Sequence, residues 1–379
     1  MAAGLLAGFV GFASSFAVVL QGLRAVGASP TEAASGLMAL SIAMGVGGIW
    51  LSLRTRLPIS VAWSTPGAAL LAGSVLPAGG FASAVGAFLL SGALIVIAGL
   101  WRPLGRFVAA IPPALANAML AGVLLPLCLA PVRAVAEIPL LALPVVLGWA
   151  VVGRLNRLWA VPSAVGISAV LLAFTTILPP DGLTGLIPAP VWVAPIFEPA
   201  ALLGLALPLF LVTMASQNIP GLAVLAANDM HPAPGPLFLR TGLLSMAAAP
   251  FGGHAVNLAA ITAALCANPD AHPDPARRYW AAITAGIVYI LFGLAAGMVM
   301  ALVSVAPPIL IQAVAGLALL GSLAGALMGA MADPRERDAA VVTFVVAASG
   351  IGFLGIGGAF WGLLAGAGLL GLARWRSPA

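Results

Sequence analysis

Long apolar runs, separated by short stretches rich in Pro, Gly and Arg, dominate the pattern of this chain. Runs of 18 or more apolar residues are long enough to cross a hydrocarbon core of roughly 30 Å as helices. Strands of membrane β-barrels instead alternate apolar and polar residues over about ten positions, and these runs do not. The pattern therefore predicts an all-α polytopic membrane protein embedded in a lipid bilayer.

The stretches rich in Pro, Gly and Arg divide the chain into about fourteen predicted transmembrane segments. We interpret the first run as a membrane helix and not as a cleaved signal peptide, because no basic residue precedes it. The predicted segments are 3–24, 31–53, 58–77, 81–101, 107–130, 135–153, 158–178, 200–226, 236–250, 252–267, 278–304, 308–331, 337–356 and 358–373.

Arginine positions predict how these segments are oriented. If the N-terminus is cytoplasmic and every segment crosses, all of the 15 basic residues except Arg24 and Arg133 fall at cytoplasmic ends. Membrane proteins retain arginine on the cytoplasmic side in this way. We therefore expect both termini to be cytoplasmic, in a bacterial inner (plasma) membrane.

Composition agrees with this assignment and excludes other classes. Hydrophobic residues make up 62% of the chain and charged residues 7%, whereas a soluble domain carries about a quarter charged residues. The net charge of +5 is scattered between segments and forms no basic face, so no nucleic-acid partner is expected. Cys128 and Cys266 lie far apart in or beside apolar segments, which favours packing over a disulfide or a metal site.

Segments 3 and 10 are interrupted by Pro and Gly. Residues 58–67 suggest a short β-like stretch and then a helix start, with Thr65 as the predicted N-cap and Pro66 in the first turn. Residues 250–262 show a similar Gly-rich stretch before a helix of small residues. Broken segments at matching places in two halves indicate a binding site near the bilayer midplane.

A weak internal match supports two halves. Aligning Gly67–Leu70 with Leu258–Ile261 places Trp63 against His254, and a similar offset places Ser15 against Ser216. Seven crossings per half would make the second copy inverted. The predicted division is a first repeat at 1–178 and a second at 179–379.

Three stretches resemble the benzoate–proton symporter family (BenE): Ala-Trp-Ser-Thr-Pro-Gly at 62–67, Thr-Met-Ala-Ser-Gln-Asn-Ile-Pro-Gly at 213–221, and Phe-Gly-Gly-His-Ala-Val-Asn at 251–257. The chain is more distantly similar to nucleobase–cation symporters. That resemblance implies a core domain from 1–101 and 200–304, a gate domain from 107–178 and 308–373, and elevator-like movement of one against the other. The resemblance to BenE implies a small aromatic carboxylate and protons as partners, and it leaves a homodimer open.

One departure from the nucleobase symporters concerns two glutamates that grip the base in those proteins. Alignment of helices eight and ten puts Gln217 and His254 at these positions. An amide and an imidazole suit an anionic substrate better than carboxylates do. This departure from the nucleobase symporters therefore favours an anion as the substrate.

His254 is the candidate proton carrier. Segments 3 and 10 contain no Asp, Glu, Lys or Arg, and an ionisable residue at the membrane centre usually faces a cavity. Histidine changes charge near physiological pH, so His254 is predicted to bind a proton and pair with the substrate carboxylate. A neutral histidine that bonds Gln217 or a backbone carbonyl is the alternative.

Further candidates surround the two interrupted segments. The N–H groups of the half-helix starts, near 64–67 and 255–257, would carry partial positive charge. Trp63 could stack on an aromatic ring or simply pack, and the amides and serines could bind ligand or join helices. The predicted substrate-binding residues are Ser14, Ser15, Trp63, Ser64, Thr65, Gln217, Asn218, Gly253, His254 and Asn257.

Other functions are weighed on the same residues. A nucleobase or an inorganic anion such as sulfate would suit the same fold, and helix N-termini bind inorganic anions readily. A channel needs a continuous polar pathway, whereas polar residues here concentrate at one locus. The sequence contains neither a His-Glu-x-x-His motif nor an intramembrane Asp pair, so we expect no enzyme, no metal and no cofactor.

Overall fold

A computed structural model of the chain describes residues 1–101, 103, 112–175, 188–354 and 356–375. The predicted segment start at 107, the segment end at 178, and Arg102, Arg106 and Arg376 lie outside these residues. Everything below concerns the described part of the chain.

The first half contains nine helices and one strand among the described residues. They are α1 (Ala2–Ala13), α2 (Phe16–Ala25), α3 (Pro30–Thr55), β1 (Val61–Trp63), α4 (Thr65–Ala72), α5 (Gly80–Leu100), α6 (Pro113–Cys128), α7 (Ala130–Glu137), α8 (Pro139–Leu155) and, after a 3₁₀ turn at Arg157–Trp159, α9 (Ala160–Thr175).

The second half continues the same pattern. Its elements are α10 (Pro199–Ala226), α11 (Pro234–Ala248), β2 (Val256–Leu258), α12 (Ile261–Ala267), α13 (Tyr279–Leu294), α14 (Ala296–Val305), α15 (Pro308–Ala330), α16 (Arg337–Ala348), β3 (Gly352–Phe353), β4 (Ile356–Gly357) and α17 (Gly358–Trp375).

Seven helical stretches within the described residues are long and apolar enough to cross a membrane, counting consecutive helices such as α1 and α2 as one stretch. Shorter apolar helices lie at Pro139–Leu155 and Gly358–Leu372. Several other predicted segments consist of a short helix alone or a short helix preceded by a strand. The prediction of a mostly helical membrane protein is confirmed.

The first predicted segment, 3–24, is not one regular helix. It breaks between α1 and α2 at Ser14 and Ser15, where Ser15 has φ −146° and ψ 0°. The hydroxyls of both serines donate to the Gly11 carbonyl, at 3.4 and 3.3 Å. Serine competes for helical carbonyls in this way and bends membrane helices, which explains a break that apolar periodicity does not reveal.

The two interrupted segments pair with each other through their strands. β1 and β2 are antiparallel, with Val61 opposite Leu258 and Trp63 opposite Val256. Ser64 N–H donates to the Ala255 carbonyl at 3.0 Å, which extends the pairing by one residue. Backbone groups inside a bilayer must find partners within the protein, so each strand provides what the other lacks.

The helix starts differ from the predicted ones. Ser64, and not Thr65, is the N-cap of α4, because its Oγ accepts the Gly67 N–H at 3.1 Å. The second half-helix begins at Ile261, after the strand, so residues 255–257 are not its first turn as predicted. Counted from the strand starts, Trp63 matches Leu258 and not His254. The alignment of 67–70 with 258–261 was wrong because small residues recur throughout the chain and match by chance.

Helix α10 contains two wider π-helical turns, Leu202–Ala206 and Met214–Asn218. Each turn ends two residues before a proline, Pro208 or Pro220. Proline cannot donate a backbone hydrogen bond and crowds the carbonyl four residues before it. A π turn shifts the bonding pattern there, and such turns are frequent at functional sites.

Small residues bring the helices close together. Gly45 of α3 faces Gly286 of α13, and Gly92 of α5 faces Gly242 of α11, so that backbones lie in near contact at both crossings. Membrane helices pack through small residues in this manner. In a second group, α6 packs against α15 and α16, and α16 packs against α17.

Candidate functional site

A cavity of about 110 Å³ lies where the broken first segment, β1, the second π turn of α10, the start of α12 and the middle of α15 meet. It is small beside the roughly 300–1,000 Å³ of pockets for drug-sized ligands, which limits a ligand to about one ring. The lining residues are Val10, Gly11, Ser14, Ser15, Ala62, Trp63, Thr65, Gln217, Ala259, Ala260, Ile261, Thr262, Ala318 and Ser322. None of them is charged. We call this space the Trp63 cavity.

Trp63 forms an aromatic wall of the cavity and is only 2% exposed. Its Nε1–H donates to Ser15 Oγ at 2.8 Å, and the Phe12 ring lies 5.4 Å away between centroids, tilted by 58°. The hydrogen bond and the ring contact hold the indole in one orientation. Trp63 therefore joins the broken first segment to the start of α4.

Gln217 provides the polar side of the cavity. It lies half-buried in the second π turn of α10. Its amide has no hydrogen-bond partner among the described residues. Two N–H donors and one carbonyl acceptor are thus available to a ligand, together with the Thr65 hydroxyl. The hydroxyls of Ser14 and Thr262 line the same space but already bond Gly11 and Ser60.

One helix start adds positive potential to the cavity. Thr65 is the first residue of α4 and lines the cavity, and N–H groups in a first turn carry partial positive charge. The second start, at Ile261, also lines the cavity. Helix α12 has only 7 residues, so we assign its N-terminus no role in binding an anion.

His254 lies outside the residues that line the cavity. Its side chain is completely buried, with Nε2 2.9 Å from the Ser64 carbonyl oxygen and the Phe88 ring 6.3 Å away between centroids. Because a carbonyl only accepts, Nε2 carries the hydrogen. Nδ1 has no partner among the described residues. The structure therefore places His254 at the start of α4, against Ser64, and outside the cavity lining.

Ser64 and Asn218 hold the two interrupted segments to α10. Ser64 Oγ accepts the Thr213 hydroxyl at 2.9 Å in addition to the Gly67 N–H. Asn218 Oδ1 accepts the Leu258 N–H at 2.9 Å, and its Nδ2 faces Met214 Sδ at 3.2 Å. These predicted site residues are fully buried and support the cavity without lining it.

Gly253 and Asn257 also lie away from the cavity lining. Gly253 N–H donates to the Ala248 carbonyl at 3.0 Å, which closes the turn that leads into β2. Asn257 Nδ2 donates to the Leu258 carbonyl at 2.8 Å, and its Oδ1 has no partner in the described chain. Of the ten predicted residues, the cavity brings together Ser14, Ser15, Trp63, Thr65 and Gln217.

Several lining residues were missed from the sequence. Thr262 hydrogen-bonds Ser60 at 2.6 Å and ties the start of α12 to the residue before β1. Its place beside a broken segment was a usable signal. Ala318 and Ser322 come from α15, far from every motif. Nothing in their local sequence distinguishes them from other small residues of that helix.

The family described as benzoate membrane transport protein (BenE) matches residues 1–372 of this chain. The inner membrane protein YdcO of Escherichia coli (strain K12) is 41% identical over 365 residues, covering 96% of this chain and 93% of that protein. A benzoate membrane transport protein of Acinetobacter baylyi is 34% identical over 368 residues, covering 96% and 92%.

Two solved structures are similar in fold. The transmembrane domain of a cyanobacterial bicarbonate transporter, BicA, superposes with a TM-score of 0.60 at 14% identity, covering 96% of this chain and 97% of that one. The murine anion transporter Slc26a9 in an inward-facing state gives 0.63 at 12% identity, covering 100% of this chain and 69% of that one. At this identity the likeness concerns the fold alone.

Proposed function

Because this chain belongs to the benzoate membrane transport protein family and is therefore a membrane transporter, we propose that it imports benzoate or a similar small aromatic carboxylate by proton symport. The Trp63 cavity is the observation that carries this proposal. It combines an aromatic wall, a free amide, hydroxyls and a helix start, and none of its lining residues is an acid.

The substrate has two unlike ends, and the cavity offers a surface for each. The benzene ring would lie against the small part of Trp63 that faces the cavity and against the apolar lining residues around it. The carboxylate would accept hydrogen bonds from the Gln217 amide and from Thr65 at the start of α4. A lining without carboxylates avoids repulsion of the anion.

We propose His254 as the proton-binding residue, although it does not line the cavity. Its hydrogen bond to Ser64 connects it to the residue before Thr65, so a change in its protonation would be felt at the α4 start. The ten residues predicted from the sequence then form two groups, five at the ligand and five that support it or couple it to protons.

The proposed architecture is fourteen segments in two inverted repeats, with both termini cytoplasmic in a bacterial inner membrane. The pairing of β1 with β2 and the irregular turns at Ser15 and Ser216 support the repeat. The Trp63 cavity is lined by α15, which belongs to the proposed gate domain, and by α1, α4, α10 and α12, which belong to the proposed core domain. A core domain that slides past a gate domain would carry the substrate across at this boundary.

Uptake of labelled benzoate into proteoliposomes tests the proposal. We expect accumulation that is stimulated by an acidic exterior and reduced by unlabelled salicylate, but not by uracil or sulfate. Competition by uracil or sulfate without competition by salicylate would assign a different cargo. Benzoate flux with no dependence on the proton gradient would contradict symport.

His254→Gln isolates the proton role. We expect this variant to lose the stimulation of uptake by an acidic exterior, because glutamine keeps a donor for the Ser64 carbonyl but cannot carry a proton. Phe88→Leu, beside the same imidazole, is the matched control and should keep that stimulation. A His254→Gln variant with an unchanged pH profile would remove His254 from the coupling mechanism.

A further inference from the structure

A larger cavity of about 650 Å³ lies on the same boundary between α2 and α15. Its walls are mostly apolar, and the polar residues on them are few. Gln21 and Arg24 come from α2, and Gln312 comes from α15. We call this space the Arg24 vestibule.

The vestibule lies in line with the Trp63 cavity. Gln21 follows Ser15 by six positions on α2, and Gln312 precedes Ala318 by six positions on α15. At 1.5 Å per residue, both walls place the vestibule about 9 Å beyond the cavity. Because α2 and α15 run in opposite directions and both reach the vestibule over the same distance, the cavity and the vestibule lie on one path along the core–gate boundary.

Arg24 is an exposed charge without an ion-pair partner in the described residues. The nearest acid along the chain, Glu32, accepts the Ser29 N–H at 2.8 Å within its own helix cap. The guanidinium is thus available to an anion, and it offers the planar donor fork that carboxylates fit.

Gln21 provides a second, independent sign of a polar ligand. Its Oε1 is buried and has no hydrogen-bond partner among the described residues. The unpartnered oxygen is an acceptor, which a water or another donor can satisfy, and the amide nitrogen of the same side chain remains free to donate to an anion. Gln21 and Arg24 are three residues apart and share one face of α2, while Gln312 faces them from α15.

Arg24 also lies in the last turn of α2, where a cation stabilises the helix dipole. That role accounts for its charge. It does not account for a cavity of this size, for the unpartnered Gln21 amide, or for a second glutamine on the opposite wall. These features call for a role of Arg24 beyond the helix dipole.

We propose that Arg24, Gln21 and Gln312 form an outer capture site, which binds the carboxylate of the substrate before it reaches the Trp63 cavity. The inference rests on the proposed function for the identity and the direction of the cargo. In this site the guanidinium attracts the anion, and the two glutamines donate hydrogen bonds to it.

Kinetics of Arg24→Gln test the capture role. We expect KM for benzoate uptake to rise about tenfold with kcat unchanged, because a fixed charge in a cleft raises association rates by about 10-fold or more. The difference should shrink in 0.5 M salt, since exposed charges are screened. Arg24→Lys should raise KM less than Arg24→Gln does, because lysine keeps the charge but lacks the planar donor fork.

Arg133→Gln is the matched control, because Arg133 is exposed, belongs to the same predicted side and lies outside the vestibule lining. Its KM should equal that of the wild type. Equal KM values for Arg24→Gln and the wild type would overturn the capture site, and so would an equal rise in Arg133→Gln. Failure of the wild type to take up benzoate would instead contradict the proposed function.

A chemical measurement tests the vestibule without transport. Gln312→Cys, in a background with Cys128→Ala and Cys266→Ala, is treated with anionic and cationic methanethiosulfonate reagents; both native thiols are buried. With Arg24 present, the anionic reagent should react severalfold faster than the cationic one, and benzoate should slow it. Arg24→Gln should remove that preference. Equal rates for both reagents with Arg24 present would overturn the proposal, even in a protein that does not transport benzoate.

Discussion

At the scale of residues, one hydrogen bond connects the two parts of the chain that carry the site. Trp63 Nε1–H donates to Ser15 Oγ, which ties the last residue of β1 to the break between α1 and α2. The indole is buried, so the loss of its acceptor leaves a donor unsatisfied at a cost of about 1–3 kcal/mol.

Ser15→Ala and Trp63→Phe remove this bond from either side. We expect each variant to lower the melting temperature in detergent and to raise KM for benzoate. The double variant should lose less stability than the two single losses combined, because the bond can be removed only once. Strict additivity in this cycle would show that the two side chains act independently.

Gln217 is the residue at which charge decides binding. Gln217→Leu should weaken benzoate uptake severalfold, since it removes two donors. Gln217→Glu should weaken it further, because a carboxylate in the cavity repels the anion. Competition against labelled benzoate uptake measures this order, in which the wild type binds best and the Glu variant worst. A Glu variant as active as the wild type would show that the substrate carboxylate does not bind at Gln217.

At the scale of elements, the interrupted segments depend on close packing against their neighbours. Helix α2 packs directly on α4, and a Cβ at Gly22 would overlap the Ala68 carbonyl oxygen. The short helix α4 has 8 residues, too few to be stable alone. Its position beside Trp63 therefore follows from this packing.

Gly22→Ala should displace α4 and destabilise the protein by about 1–3 kcal/mol, the usual cost of overpacking, with loss of benzoate uptake. Gly73→Ala is the matched control at the other end of α4, where the nearest atoms to an added Cβ are 3.9 Å away. Thermal unfolding in detergent measures both. Equal melting temperatures for the two variants would contradict the packing argument.

At the scale of the whole molecule, a cluster of aromatic rings joins the two proposed domains. Phe9 of α1 lies 5.7 Å from Trp159, which precedes α9, and 6.1 Å from Phe292 of α13, measured between ring centroids. The first contact crosses the proposed core–gate boundary, and the second stays within the core. Along α1 and α2, this aromatic cluster lies on one side of the Trp63 cavity and the Arg24 vestibule lies on the other.

Cross-linking these pairs tests whether the core domain moves against the gate domain during transport. A short thiol cross-linker between Phe9→Cys and Trp159→Cys should abolish uptake, because the two domains could no longer slide. The same cross-linker between Phe9→Cys and Phe292→Cys should leave uptake nearly unchanged. Full activity of the cross-linked Phe9–Trp159 pair would contradict movement at this boundary.

The sequence by itself determined the class of the protein and the interruptions of the third and tenth predicted segments, whereas the break at Ser15 emerged only from the structure. Apolar run length is a local property, and the thickness of the bilayer acts on it directly. Residues 58–67 and 250–262 were recognisable because Pro, Gly and polar residues interrupt apolar runs there. The resemblance of three stretches to BenE supplied the substrate class, and the match over residues 1–372 confirms the family.

Only the tertiary structure decided which side chains meet. Trp63 and His254 lie at the same broken segments, yet Trp63 lines the cavity and His254 is buried behind Ser64, against Phe88. The direction of a side chain in such short strands depends on the register of β1 against β2, which joins residues far apart in the sequence. Ser322 likewise reaches the site because α15 packs beside α2. Local pattern carries no information about such long-range contacts, so packing alone assigned them.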